Sequence, residues 1–556
     1  MYPLIFIWQG LDFTDTGYLL TNYQQIFNEP SSIQASHRIW LTNVVGGIWV
    51  YLFGDSLGLV GYRFAGVLLV WGTLYVSYLT LKSYIRPKYL LWGLFAAMAL
   101  ANRSGFVFNY NSLTAFFYVL AAYLLVRGLV GSKNRMIFLA GFVMGLNIFI
   151  RLPNILGFSL AGTVLFSGYM KKTPILAQMK QLLYFISGYM LAAAAVLLVM
   201  RMAGHYEAYI SLFKGTYTML DDPTGHHRWD YVFFNYLDHH RTAIVRTIKI
   251  AAGFFSLLII LDITSRLGNK LLQYGVIAAS ALAVIYFNLG FLQNWVNFLV
   301  TILGILYFIM LYFSFKGQQE FRLVSFMSLA VLILIPLGSN IAVWNSVYGM
   351  YLAVPLVLGR MLTVVETPFR LAGGELKMIK VLALGLFLAL AVQSSYYYTY
   401  RDADNRLEMR YGINHTSLRA VLTTGERAAV IQELVDVLPR YVREGDYLLA
   451  YEQISMVYFL TKTKPYLYHA WPMLYSPQQF DQALQKALAE RPYLPVIIRA
   501  RGNTENKKWP AAAGLLRSPP HDEMRGLMDD FIKKEHYRSV WQNNFFEILE
   551  PEKSKI

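Results

Sequence analysis

The chain has 556 residues, 56% of them hydrophobic and only 15% charged, and its mean hydropathy is +0.40. A soluble globular domain carries about 25% charged residues, so this balance excludes one and points to a polytopic membrane protein with a smaller polar part. The net charge of +16 is explained by basic cytoplasmic loops, since no basic groove interleaved with aromatics argues for nucleic acid, and the lack of cysteine excludes disulfides, thiolate metal sites and thiol nucleophiles.

Met1 to Trp8 is apolar but too short to cross a bilayer, which takes about 20 residues. It also lacks the basic start of a signal peptide. The expectation is a first span that is lost or lies upstream. Gly10 to Pro30, GLDFTDTGYLLTNYQQIFNEP, then sets two carboxylates, Asp12 and Asp15, before an amphipathic helix pattern. Asp15 reads as its cap. Leu19, Leu20, Tyr23, Ile26 and Phe27 share one face, with Asn22, Gln24 and Gln25 off it, and Asn28-Glu29-Pro30 ends the run. Such a pattern predicts a helix lying in the membrane interface. His37 to Phe53 predicts a second interfacial or re-entrant helix.

From Leu59 onward, spans are expected near 60–81, 89–101, 107–127, 136–150, 153–169, 181–203, 243–262, 271–287, 291–313, 321–336, 342–363 and 378–400. With the first span restored the fold is a polytopic helical one of about 12–13 transmembrane helices. Lys82, Arg86 and Lys88 fall in one connector; Arg127, Lys133 and Arg135 in another; then Lys171, Lys172 and Lys180, Arg266 and Lys270, Lys316 and Arg322, and Arg360 to Lys380. All of these connectors share one side by parity, which the positive-inside rule makes cytoplasmic. Residues 9–59, the loop 204–242 and everything after 400 are then outside. The 40 Tyr, 36 Phe and 11 Trp suit interfacial belts and an aromatic-lined cavity.

The chain thus divides into a transmembrane domain, 1–400, and a soluble extracytoplasmic domain, 401–556. In the latter, helix patterns at 426–443, 476–490 and 521–536 alternate with strands at 446–451 (DYLLAY), 494–499 (LPVIIR) and 537–549. That alternation predicts a small α/β domain. It contains no glycine-rich phosphate loop and no nucleophile elbow.

Asp12 and Asp15 are the first candidates for chemistry. In an inverting glycosyl transfer one carboxylate serves as general base on the acceptor hydroxyl, and an activated phosphate leaves unaided. Asp15 would be that base and Asp12 its support; a plain helix cap is the alternative. Three stretches carry a resemblance: FTDTGYLLTNYQQI at 13–26, LFGDSLGLVGYRFAGVLL at 52–69 and GFVMGLNIFIRLPNIL at 141–156. With an acidic first loop, two juxtamembrane helices, about thirteen spans and an outer C-terminal domain, the chain resembles the GT-C superfamily of membrane glycosyltransferases. That superfamily includes protein O-mannosyltransferases and bacterial aminoarabinose transferases acting on lipid A. The resemblance implies a polyprenyl- or dolichyl-phosphate sugar as donor, used outside the cytoplasm with inversion. Many relatives carry Asp-Glu where this chain has Asp15-Thr16, a departure that counts against a metal role for this loop; a divalent metal is kept as a possible cofactor.

Arg63, Arg103 and Arg151 sit at the outer level on apolar segments, where an ionisable group usually faces a cavity. A guanidinium suits a phosphodiester, so they are candidates to hold the donor phosphate, with snorkelling to the interface as the alternative. Asn109 and Asn111 open a span and would meet sugar hydroxyls or simply pack between helices. In the loop 204–242, Asp221, Asp222, His226, His227, Arg228, Asp230, Asp238, His239, His240 and Arg241 offer metal or acceptor contacts, or a solvated loop. Asp222, His226 and His239 are taken as substrate candidates. Gln293, Asn294, Trp295, Asn297, Asn340, Trp344 and Asn345 are possible carbohydrate contacts or belt residues. Tyr466, Tyr468, His469, Trp471 and Pro472 form an aromatic loop that is a lid, an acceptor platform or core packing.

The sequence therefore predicts an inverting glycosyltransferase moving a sugar from a polyprenyl-phosphate donor to a lipid, glycan or protein acceptor. Its partners are that donor, the acceptor and membrane lipids, and no nucleic acid. Its expected place is the bacterial inner membrane with the site facing out. A carrier of lipid-linked sugar and a non-catalytic assembly subunit are the alternatives.

Overall fold

The computed structural model describes residues 2–101, 107–212, 229–267, most of 270–279, 295–339, 341–363, 385, 396, 399–403, 405–511 and 519–552. After a short turn at Tyr2–Phe6 come α1 (Asp15–Asn28) and α2 (Trp40–Phe53). Expected to lie in the interface, α1 is instead enclosed by protein, with every residue from Thr16 to Ile26 buried. Its amides explain why. Gln24 and Gln25 donate to the carbonyls of Phe459 (3.5 Å) and Thr463 (3.3 Å) in the C-terminal domain. A Cβ at Gly17 would collide with the backbone of Met456, so the missing side chain lets α1 lie directly on that domain. The polar face that reads as solvent-facing is turned to a second protein surface.

The apolar bundle follows: α3 (Gly58–Leu81), α4 (Pro87–Ala101), α5 (Tyr110–Val130), α6 (Asn134–Asn147), α7 (Gly162–Lys171) and α8 (Ile175–Met202). Beyond it lie helices Trp229–Arg266, Trp295–Phe315, Gln319–Leu334 and Met350–Thr363. Among the described residues five helices are long and apolar enough to cross a membrane: Gly58–Leu81, Tyr110–Val130, Ile175–Met202, Phe298–Phe315 and Ala342–Thr363. Their outward side chains, such as Leu176 and Leu198, are strongly exposed; hydrocarbon suits them where water does not, and the chain is an integral membrane protein. The expected spans near 271–287 and 378–400 lie largely outside the described residues. The span expected at 153–169 is interrupted: 3-10 turns run over Leu152–Ala161 before the 10-residue α7.

Four of the basic connectors, at 82–88, 127–135, 171–180 and 316–322, meet at one end of the bundle. Lys171 Nζ donates to Leu129 O (2.6 Å), Gln319 Nε2 to Met170 O (3.3 Å) and Tyr84 OH to Glu320 Oε2 (3.4 Å). At the other end sits the C-terminal domain. Its five-stranded sheet has the order β4-β3-β5-β7-β6, with β3 (Tyr447–Tyr451), β4 (Lys464–Pro465) and β5 (Val496–Ala500) parallel. β6 (Tyr537–Gln542) and β7 (Phe546–Pro551) form an antiparallel hairpin where a single strand, 537–549, is expected. A small ladder, β1 (Tyr411–Gly412) with β2 (Leu422–Thr423), precedes the sheet.

The chain's front is stitched to this domain. Gly10 N donates to Leu422 O (2.9 Å), and Leu422 N to Trp8 O (2.7 Å). Asp402, fully buried, accepts from Leu11 N (2.6 Å) and Thr423 Oγ1 (2.8 Å) and pairs with the buried Arg427 guanidinium. Arg427 in turn donates to Trp509 O (2.9 Å) and Lys507 O (2.6 Å). Asp402→Ala leaves that guanidinium buried without its counter-charge and should cost about 3–5 kcal/mol. Thermal unfolding in detergent should show a large drop, and an unchanged midpoint would contradict this role.

Candidate active site

Between Leu11 and the start of α1, Asp12 folds back on its own chain. Its Oδ1 accepts from Thr14 N (2.9 Å) and its Oδ2 from Thr16 N (2.7 Å). It therefore satisfies an orphan amide of the first turn. The capping carboxylate is thus Asp12, not Asp15, which is the first residue of the helix. Burial pushes the Asp12 carboxyl above its usual range; Arg401 opposes this and Asp15 adds to it.

Asp15 is released from capping and points at the segment after residue 398. Its Oδ2 accepts from Tyr400 OH and stands 3.1 Å from Arg401 Nη2. Among the described residues its Oδ1 has no partner, and 30% of the side chain is exposed. Arg401 also pairs with Glu505 Oε1 at 2.6 Å and lies over the rings of Tyr400 (5.4 Å) and Trp471 (5.5 Å). Burial works against the charge of Arg401, but Asp15, Tyr400, Asp12 and Glu505 outweigh it and hold the guanidinium above its usual range. Its backbone φ of +51° is unfavourable for a side-chain-bearing residue. Tertiary contacts hold it there: the next residue is the buried Asp402.

Trp471 is fixed by its indole N–H on Gln453 Oε1 (2.8 Å), and Gln453 O accepts from Thr14 Oγ1 (3.2 Å). Tyr18 of α1 stacks on His469 at 5.3 Å. The aromatic loop is therefore core packing directly beneath the site. Burial, with Arg38 beside it, pushes His469 well below its usual range, so it is neutral.

Arg151 lies where α6 gives way to the interrupted segment. Its Nε donates to Asn154 Oδ1 (3.2 Å), Nη1 to Asn111 Oδ1 (3.3 Å) and Nη2 to Ile335 O (2.6 Å). Asn154 is itself held by Thr114 Oγ1 (2.8 Å) and Asn147 Oδ1 (2.9 Å). A second interrupted stretch, Ala342–Gly349, follows Ile335 closely, and Gly338 with φ +79° packs against Pro153. Non-helical backbone at membrane depth is tolerated where it is buried in protein or lines a cavity. Arg151 is a buried guanidinium whose partners are all neutral; among the described residues no carboxylate pairs with it. Tyr110, at the start of α5, is within electrostatic reach of both Asp15 and Arg151. Asn111 thus belongs to the Arg151 group. Asn109 caps α5, accepting from Asn111 N (2.9 Å) and Ser112 N (3.0 Å).

Other candidates sit elsewhere. Arg63 spends its terminal nitrogens on backbone carbonyls. Its Nη1 donates to Ile7 O (2.6 Å) and Gln9 O (3.3 Å) and its Nη2 to Gly10 O, so it fastens the front of the chain to α3. Arg103, Asp222, His226, Gln293, Asn294 and Asn340 lie outside the described residues. His239 is on the helix Trp229–Arg266 and is not among the side chains that touch Asp15, Arg401 or Arg151. Asn345 is bound to Ser339 Oγ (2.8 Å). Among the described residues no three His, Asp or Glu side chains gather as a metal site. Around Asp15, Asp12 spends both oxygens on backbone amides, while Asp15 and Glu505 share one guanidinium and are the two carboxylates whose oxygens a divalent ion could take in place of Arg401.

Tyr400, Arg401 and Glu505 are site residues that the sequence reading passes over. The signal was RDAD at 401–404, a charge cluster directly after an apolar stretch. Arg63→Gln should free the front segment: amide exchange over Trp8 to Leu11 should quicken about tenfold, the worth of a charge-assisted hydrogen bond of about 1.5 kcal/mol. Unchanged exchange would deny Arg63 this clamping role.

No family model matches the chain, and no curated protein matches it. Among solved structures it is similar to ArnT from Cupriavidus metallidurans bound to undecaprenyl phosphate, at 10% identity over 98% of this chain and 96% of that one, with a TM-score of 0.49. It is also similar to the Archaeoglobus fulgidus oligosaccharyltransferase in complex with Zn and sulfate, at 12% identity over 88% of this chain and 64% of that one, TM-score 0.41. A third is the archaeal oligosaccharyltransferase AglB from Archaeoglobus fulgidus with an inhibitory peptide and a dolichol-phosphate, at 12% identity over 88% and 66%, TM-score 0.38. No residue of this chain takes its role from these likenesses.

Proposed function

We propose that this chain is an inverting GT-C glycosyltransferase that moves a sugar from a polyprenyl-phosphate donor to a hydroxyl acceptor, at the bundle end that carries the C-terminal domain. The observation that carries the reading is the pairing of two unmatched groups near Tyr110: the open Oδ1 of Asp15, and the buried charge of Arg151 among neutral partners. Asp15 takes the proton of the acceptor hydroxyl as its oxygen bonds to the anomeric carbon. The bond from that carbon to the phosphate oxygen breaks, and polyprenyl phosphate leaves with the electron pair. Arg151, with Asn111 beside it, stabilises the charge on the departing phosphate. Asp12 keeps the turn that presents Asp15. The acceptor is a lipid, glycan or protein, and the bacterial inner membrane, with this end facing out, is the setting that the basic connectors support.

The interrupted stretches at 152–161 and 342–349 are also a device of carriers. A carrier, however, moves the lipid-linked sugar without breaking its bond to phosphate, so it would show no transfer to an acceptor. Full-length Asp15→Asn in detergent, given a labelled polyprenyl-phosphate sugar and membrane acceptors, should lose about 10²–10⁴-fold in transfer rate, the worth of a general base. A wild-type rate in a normally folded D15N protein would remove Asp15 from the chemistry.

A further inference from the structure

Arg401 forms two ion pairs through a single nitrogen. Its Nη2 stands 2.6 Å from Glu505 Oε1 and 3.1 Å from Asp15 Oδ2, while among the described residues the buried Nη1 has no hydrogen-bond partner. The two carboxylates come from opposite ends of the chain and are equally open, at 30% exposed for Asp15 and 31% for Glu505. Glu505 is not a loose surface charge. The preceding Thr504 is fully buried, donates to Gln453 O and lies 3.1 Å from Thr14 Oγ1, immediately before Asp15. The loop that carries Glu505 is thus anchored to the turn that carries Asp15.

A carboxylate that owns an arginine outright is a poor base, because an opposite charge at this range lowers its proton affinity by about 1–3 pH units. A second carboxylate on the same guanidinium has the reverse effect: it draws the cation away and repels the first anion. A general base works best when its proton affinity approaches the working pH. Taking Asp15 as the base, as argued above, we propose that Glu505 is a positioning residue of the active site, which shares Arg401 with Asp15 and so keeps Asp15 basic enough to accept a proton. The charged and titratable groups that face Asp15 are Asp12 on its own segment, Tyr400 and Arg401 after the bundle, Tyr110 on α5 and Glu505 on the C-terminal loop. Asp12 also repels Asp15 but spends both oxygens on backbone amides, whereas Glu505 stands in direct ion-pair contact with Asp15's counter-ion. Burial raises the Glu505 carboxyl; Arg401 opposes this, and Asp15 and Asp12 add to it, as expected of two anions crowded about one cation. The C-terminal domain thereby supplies a working part of the site as well as a cover.

The test reads the proton on Asp15 directly and needs no turnover. Full-length protein with carbon-13-labelled aspartate carboxyls is titrated by infrared spectroscopy in detergent. Subtracting the matching Asp15→Asn protein isolates the Asp15 band. Glu505→Gln, near-isosteric and unlabelled, should lower the midpoint of that band by about one pH unit, and Arg401→Gln should raise it by about as much. Arg401→Lys, which keeps a charge but not the two-pronged reach, should fall between Arg401→Gln and wild type. Variants are compared only at wild-type unfolding temperature. A midpoint that stays put or rises in Glu505→Gln would overturn the proposal. Failure of Asp15 as the base would show instead in the transfer assay, so the two ideas fail separately.

Discussion

An ion pair with neither side chain exposed, Asp402 with Arg427, joins three distant parts of the chain. Asp402 also accepts from Leu11 N, and Arg427 donates to the carbonyls of Lys507 and Trp509. The front segment, the exit from the helical bundle and the loop that bears Glu505 are thereby fixed to one another. Two buried charges of this kind are costly to desolvate, and their return is a defined geometry more than net stability. Here the geometry concerns the next residue along. With Asp402 locked, Arg401 is held in its left-handed conformation and aimed at Asp15.

Chemically similar residues divide their labour according to what surrounds them. Asp12 spends both oxygens on backbone amides and shapes the turn, whereas Asp15 keeps an oxygen open. Arg63 and Arg151 are equally buried, at 7% exposed. Arg63 grips three backbone carbonyls and has the carboxylates of Asp402 and Asp12 in electrostatic reach. Arg151 has amides, one carbonyl and tyrosines. A buried cation among neutral groups is the one that an incoming phosphate would stabilise.

The fold class, the helix at Asp15 and most of the C-terminal elements are legible in the sequence because each rests on local periodicity. The setting of α1 is not. Asn22, Gln24 and Gln25 form the same polar stripe whether they meet water or the carbonyls of Phe459 and Thr463. Periodicity gives the face and not its neighbour. The interruption at 152–161 was visible only as Pro153 two residues beyond Arg151, a local mark that a hydropathy count passes over. Arg401 and Glu505 meet Asp15 through long-range contacts, and no spacing rule links residue 15 to residue 505. Arg63 and Arg151 look alike in sequence because both are single cations in apolar segments; only their partners separate them.

In the proposed reaction Arg151 is the cation for a lipid-borne phosphate, and Asp15 is needed only after binding. Native mass spectrometry of the full-length protein with added polyprenyl phosphate measures the first apart from the second. Wild type and Asp15→Asn should retain the lipid phosphate equally, and Arg151→Gln, folded to the same unfolding temperature, should lose most of it. Equal retention by Arg151→Gln would deny Arg151 that role.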